Sequence, residues 1–198
     1  MIDLFIFDMG GVLIRDYHIG PELNEFLGSK DALNYNDNVS LALRKHSEGK
    51  IDEKEFWKVF ENETKIHVSE TSGSLLGKFF HPVLDTATLN LIRKLKEKGK
   101  RVVCGTNVIE SHYKIHNLKN QYEVFDKVYP SHLMHVSKPK SEFFDIICNK
   151  EKCCKNRTFF TDDSKINIEA ALKNNLQSYL YENAKQLEKV LLEIGAFE

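Results

Sequence analysis

Cysteine and proline are scarce in this chain of 198 residues, with four of each. The cysteines are Cys104, Cys148, Cys153 and Cys154, and their spacing matches neither a paired CxxC zinc set nor a small disulfide framework, so reduced thiols in a cytosolic setting are expected. Long hydrophobic runs are missing too. No segment approaches the ~20 uninterrupted apolar residues of a membrane helix, and the opening MIDLFIFDMGGVLI carries Asp3 and Asp8 without a basic lead, which makes a poor signal peptide. The Asn-x-Ser/Thr triplets at Asn38, Asn62 and Asn156 are accordingly read as chance matches. Charge of one sign is also lacking: 28 basic residues face 29 acidic ones, with no long run of either, which argues against a nucleic-acid-binding field. With 41% hydrophobic and 29% charged residues, the chain belongs to the globular class and not to the disordered one. Its length suits one domain, or one domain carrying an insertion.

Residues 2–7 form a short apolar run ending at Asp8 and Gly10-Gly11, as expected of a strand buried on both faces of a parallel sheet. Similar runs at residues 101–104, 127–129, 158–161 and 178–181 read as further strands, with helical stretches between them. The clearest helix spans 86–98, with Leu89, Leu91, Ile92 and Leu95 on one stripe, Asp85 as N-cap and Gly99 as its stop. Alternating strand and helix predicts an α/β fold with a doubly wound, Rossmann-like parallel sheet. The exception is the gap after the first strand, which is helical in pattern: a helix near Leu41–Leu43 breaks at Gly49, and Phe56, Trp57, Val59 and Phe60 crowd a second one begun at Asp52. The expected organisation is a core of residues 1–14 and 83–198, with a helical cap at 15–82 over the carboxyl edge of the sheet, where open α/β folds bind ligands. The Asn-rich stretch 34–38 reads as a loop.

Four short sequences fall at strand ends and should converge on that edge: Phe7-Asp8-Met9-Gly10-Gly11-Val12, Gly105-Thr106-Asn107, Ser137-Lys138-Pro139 and Thr161-Asp162-Asp163-Ser164. Singly, each has an ordinary structural explanation, since an Asp or Thr after a strand commonly forms a turn or caps a helix, and Ser164 would cap one equally well. As an ordered set they resemble the haloacid dehalogenase superfamily of aspartate-nucleophile hydrolases. Within it, the fragments FDMGGVLI, KGKRVVCGTN, SKPKSEFF and FFTDDSKINIEAA are most similar to sugar-1-phosphate phosphatases and to the phosphatase domain of epoxide hydrolases.

The resemblance implies a Mg²⁺-dependent phosphatase acting on a small phosphorylated metabolite, possible sugar 1-phosphates included, with no nucleic-acid or membrane partner. Asp8 would be the nucleophile, splitting hydrolysis into formation and breakdown of an aspartyl phosphate. Asp8 and Asp163 are hard oxygen ligands suited to Mg²⁺, and the resemblance adds the Gly10 carbonyl as third ligand and Asp162 as a group orienting its surroundings. Lys138 would lessen repulsion between an anionic nucleophile and an anionic substrate, while the Thr106 hydroxyl and the Asn107 main-chain N–H donate to the phosphoryl group.

One position departs from the family pattern. Most such phosphatases carry a second Asp two residues after the nucleophile as general acid and base; here it is Gly10, and Asp16 is the nearest alternative in sequence. Loss of the acid favours leaving groups that depart readily, such as an anomeric hydroxyl. It also leaves open a degenerate phospho-ligand or partner-binding protein. A 2-haloacid dehalogenase shares the lone first-strand Asp but has no use for an acidic pair at 162–163. His112 and His116 share a helix face yet lack a third ligand, so a solvated or partly buried pair is expected, and the remaining histidines form no set. Trp57 is expected in the cap core, and Cys104 as a small buried hydrophobe.

Overall fold

A computed structural model describes residues 2–69 and 73–198. Met1, and residues 70–72 of the expected cap, lie outside the described residues. Five parallel strands form the central sheet: β1 (Leu4–Phe7), β4 (Arg101–Thr106), β5 (Lys127–Pro130), β6 (Thr158–Asp162) and β7 (Gln177–Leu180). Their spatial order is β5-β4-β1-β6-β7. β1 is therefore central, and the direction of winding reverses around it, which opens a crevice at the carboxyl ends of its neighbours.

The near-continuous apolar runs are explained by burial on both faces. Phe5 and Phe7 pack into a cluster with Leu91, Ile92, Leu95, Leu187 and Leu191, carried by α5 (Thr86–Glu97) and α10 (Ala184–Glu193). Leu4 and Ile6, pointing the other way, join Phe143, Phe144, Ile147 and Ile168 of α8 (Ser141–Glu151) and α9 (Lys165–Lys173). Asp85 caps α5 by accepting from the Thr88 N–H at 2.8 Å, and Gly99 follows its end with φ +71. Cys104 is fully buried.

Two strands of two residues each escaped the sequence pattern. β2 (Ile14–Arg15) pairs antiparallel with β3 (Val83–Leu84), joining the ends of the helical stretch between them. They are too short to show a period of two. Between them lie α1 (Gly20–Leu27), α2 (Asp37–Ser47), α3 (Glu53–Thr64) and α4 (Leu75–Lys78), around their own core of Leu23, Val39, Phe56, Phe60, Leu75 and Leu76. The Asn-rich stretch is only partly loop: Asn36 accepts from the Val39 N–H at 3.0 Å, so Asp37 and Asn38 already belong to α2. Asp52 begins α3 with a capping box, its carboxylate accepting from the Glu55 N–H at 2.7 Å. Trp57 is half-buried, its ring edge-on to Phe56 and Phe60. No helix among the described residues is long and apolar enough to cross a membrane.

Candidate active site

Register brings the candidate residues together. Phe7, the last residue of β1, stands opposite Cys104 of β4 and Thr161 of β6. The chain leaves the sheet at Asp8, level with Asp162 at the end of β6 and one residue short of Thr106 at the end of β4, so three polar residues of adjacent strands meet at one crevice. Lys138 arrives from the loop between α7 (Ser131–Met134) and α8. Its ammonium donates to Asp8 Oδ1 at 2.7 Å, to Asp162 Oδ2 at 2.6 Å and to the Gly105 carbonyl at 3.0 Å. Only 1% of the Lys138 side chain and none of Asp162 is exposed, so this is a charge triad taken out of water. Such a triad holds only because each charge has a partner.

The electrostatics follow from that geometry. Burial pushes the Asp8 carboxyl above its ordinary range, opposed by Lys138 and reinforced by Asp162. Burial pulls the Lys138 ammonium down, but Asp162 and Asp8 outweigh it and the net displacement is upward. Lys138 is thus favoured as a cation, and its charge opposes the burial that would otherwise keep Asp8 protonated.

Asp162 accepts three donors: besides Lys138 it accepts from the Ser164 N–H at 2.8 Å and from Asn167 Nδ2 at 3.0 Å. Ser164 occupies the N-cap position of α9 but its hydroxyl makes no capping bond. Asp163 points outward and is exposed, accepting from the Tyr17 hydroxyl at 3.0 Å. Carboxylate oxygens of Asp8, Asp162 and Asp163 lie within 4.8 Å of one another. The Gly10 carbonyl accepts no hydrogen bond from the described residues. With Asp162 fully buried and accepting three donors, Asp8, Asp163 and that carbonyl are the less committed oxygens, and three hard oxygen donors fit a Mg²⁺ ion that completes its shell with water and phosphate.

Thr106 is buried at the end of β4, and no described group bonds its hydroxyl. Asn107 has a second use that its sequence position concealed. Its side chain brackets the Lys138 backbone, with Nδ2 donating to the Lys138 carbonyl at 3.0 Å and Oδ1 accepting from the Lys138 N–H at 2.9 Å. The peptide between Lys138 and Pro139 is cis.

Sequence reasoning passed over Glu48 and Tyr17. Glu48, just past α2, is buried and reaches across to the loop that carries Lys138: its carboxylate accepts from Ser137 Oγ at 2.7 Å, Lys140 Nζ at 2.6 Å and Lys50 Nζ at 2.5 Å. Burial alone would push the Glu48 carboxyl up, but hydrogen bonds from Lys140, Lys50 and Ser137 prevail and hold it at about 2. Neither residue has a local motif, and only the long-range contacts reveal them. Asp16, the nearest acid in sequence to Gly10, is exposed with φ 54. His112 and His116 are structural. His112 stacks on Phe80 at 3.7 Å with the rings 4° apart, and burial lowers it to about 4; His116 is buried against Gln121 Oε1 at 2.6 Å.

Comparison with known proteins bears on the family and the fold. A family model described as a haloacid dehalogenase-like hydrolase matches residues 2–174. A sesquiterpene phosphatase, astK of Aspergillus oryzae, is 25% identical over 167 residues, covering 84% of this chain and 83% of its own. The crystal structure of a HAD family enzyme from Bacteroides thetaiotaomicron in complex with magnesium is 26% identical, with a TM-score of 0.75 over 95% of this chain and 98% of that one. A predicted HAD-like hydrolase from Porphyromonas gingivalis superposes with a TM-score of 0.77 at 21% identity, over 97% and 98% of the two chains, and so shares the fold.

Proposed function

Because this chain belongs to the haloacid dehalogenase-like hydrolases, we propose that it is a Mg²⁺-dependent phosphomonoesterase of small phosphorylated metabolites, working through an aspartyl phosphate on Asp8. The observation that carries the proposal is the Lys138 ammonium shared by Asp8 and Asp162 beside the open carboxylate of Asp163. In the first step an Asp8 carboxylate oxygen forms a bond to phosphorus while the bond to the leaving-group oxygen breaks. In the second, water attacks the acyl phosphate, releases phosphate and returns the Asp8 carboxylate. Lys138 offsets the approach of two anions, and the Thr106 hydroxyl and the Asn107 N–H donate to the phosphoryl oxygens. Asp8, Asp163 and the Gly10 carbonyl would hold Mg²⁺, which neutralises phosphoryl charge and orients the group for in-line attack. Asp162 orients Lys138 and the turn into α9.

Residues 15–82 act in this reading as a cap that selects the substrate, and residues 1–14 and 83–198 as the catalytic core. With no acid at position 10, substrates with good leaving groups are favoured, sugar 1-phosphates first. The terpenoid phosphatase relative adds a sesquiterpenyl phosphate to the panel. Four free cysteines suit a reducing, cytoplasmic setting. The acidic pair at 162–163 supports phosphate chemistry over haloacid dehalogenation. The test is phosphate release from this panel with and without Mg²⁺. Metal-dependent release by wild type that disappears in Asp8→Asn is expected, and equal, negligible release by both proteins would sink the proposal and leave a phospho-ligand binder.

A further inference from the structure

The two glycines after the nucleophile do more than make a turn. A Cβ placed on Gly10 would stand 3.1 Å from both Cδ2 and Cε2 of the Tyr17 ring. A Cβ on Gly11, where φ is +72, would stand 2.0 Å from Asp163 Oδ2 and 3.0 Å from the Tyr17 hydroxyl. Tyr17 thus lies against the Gly10-Gly11 backbone, its ring filling the volume that a side chain at position 10 would enter, with its hydroxyl on Asp163 Oδ2 at 3.0 Å. It comes from the segment that follows β2, so the insertion itself supplies the occupant. The ring also packs against His18, with centroids 4.0 Å apart.

We propose that Tyr17 occupies the place of the missing second aspartate and is the positioning residue that aims Asp163 at the metal. Exposed carboxylates rotate freely. A hydrogen bond from a ring wedged on the loop of the nucleophile fixes one oxygen of Asp163 and so holds a carboxylate that has an oxygen within 4.8 Å of one on Asp8. Partners of this kind, which orient a ligand without touching the ion, are typically worth about 10 to 100-fold in metal affinity. The same packing explains why Asp16 is no substitute: the backbone sends it outward and turns its neighbour in.

This assignment rests on the phosphatase reading only through the metal, so it is tested by binding and not by turnover. Mg²⁺ affinity is measured by titration calorimetry, and by metal-induced stabilisation in a thermal melt, for wild type, Tyr17→Phe and Asp163→Asn. Tyr17→Phe keeps the ring and loses only the hydroxyl. It should weaken Mg²⁺ by about 10 to 100-fold while its metal-free melt stays close to that of wild type, a split that a merely structural role would not produce. The steric half is read without metal: Gly10→Asp should lower the melting temperature, and Gly10→Asp with Tyr17→Ala should recover more than the two single changes predict by addition. Wild-type affinity in Tyr17→Phe, or additive melts in the double variant, overturns the assignment alone. Absence of Mg²⁺ binding by wild type overturns it together with the phosphatase reading.

Discussion

Glu48→Gln isolates the contact between the helical insertion and the loop that carries Lys138, and its effect should depend on pH in a way set by one carboxyl group. The side chain is 2% exposed and accepts from Lys50, Lys140 and Ser137. Its carboxyl is held at about 2 against an ordinary 4.5. A displacement of that size corresponds to about 3 kcal/mol at neutral pH. Lys50 and Lys140 are 45% and 43% exposed, so water screens both pairs and about 2 kcal/mol is the better expectation. Because the folded-state value is depressed, this stability is complete above pH 4.5, declines as pH falls through the interval below it, and is gone near pH 2. Glutamine cannot titrate, so other acid-labile contacts cancel between the two proteins.

Urea unfolding is the assay. At roughly 2 kcal/mol per molar for the slope, the wild-type midpoint should exceed that of the variant by about 1 M at pH 7, and by less than half of that at pH 3. A midpoint difference that is the same at both pH values, or no difference at pH 7, would refute the reasoning. Since Ser137 and Lys140 flank Lys138, turnover should also fall, by up to about 10²-fold if the ammonium is displaced by an ångström.

Lys138→Met leaves Asp8 and Asp162 buried together without their cation, a loss of about 3 kcal/mol at the low end of the range because Asp8 can take up a proton. That corresponds to a fall of about 6 to 12 °C in melting temperature in metal-free buffer, read by differential scanning fluorimetry; a fall under about 2 °C contradicts the triad. Wild type should hydrolyse sugar 1-phosphates, or another substrate with a readily departing leaving group, faster than the 6-phosphate isomer by about 10² to 10⁴-fold, the usual worth of general acid catalysis. Equal rates in a coupled phosphate assay would mean that another group supplies the proton. Asp8→Asn should retain the fold, judged by circular dichroism, while losing phosphate release altogether.

The sheet and the ordered polar set were legible because they rest on local rules. A strand covered on both faces reads as an unbroken apolar run, as residues 2–7 do, and a cap or stop such as Asp85 or Gly99 sits within a turn of the helix it bounds. Asp8, Thr106, Lys138 and the pair Asp162-Asp163 could be found because each follows such an element, and resemblance to a known family supplied their roles. The strands Ile14–Arg15 and Val83–Leu84 were invisible, since two residues carry no period and their pairing spans the whole insertion. Three matters were decided by tertiary contacts alone: that Asn107 brackets the Lys138 backbone, that Glu48 reaches 89 residues along the chain to Ser137, and that Tyr17 turns onto Gly10 while Asp16 turns away. Sequence periodicity reports which face of an element is buried. Which distant side chain fills a given volume depends on how separately formed elements pack, and here that packing put a tyrosine where the family pattern places an acid.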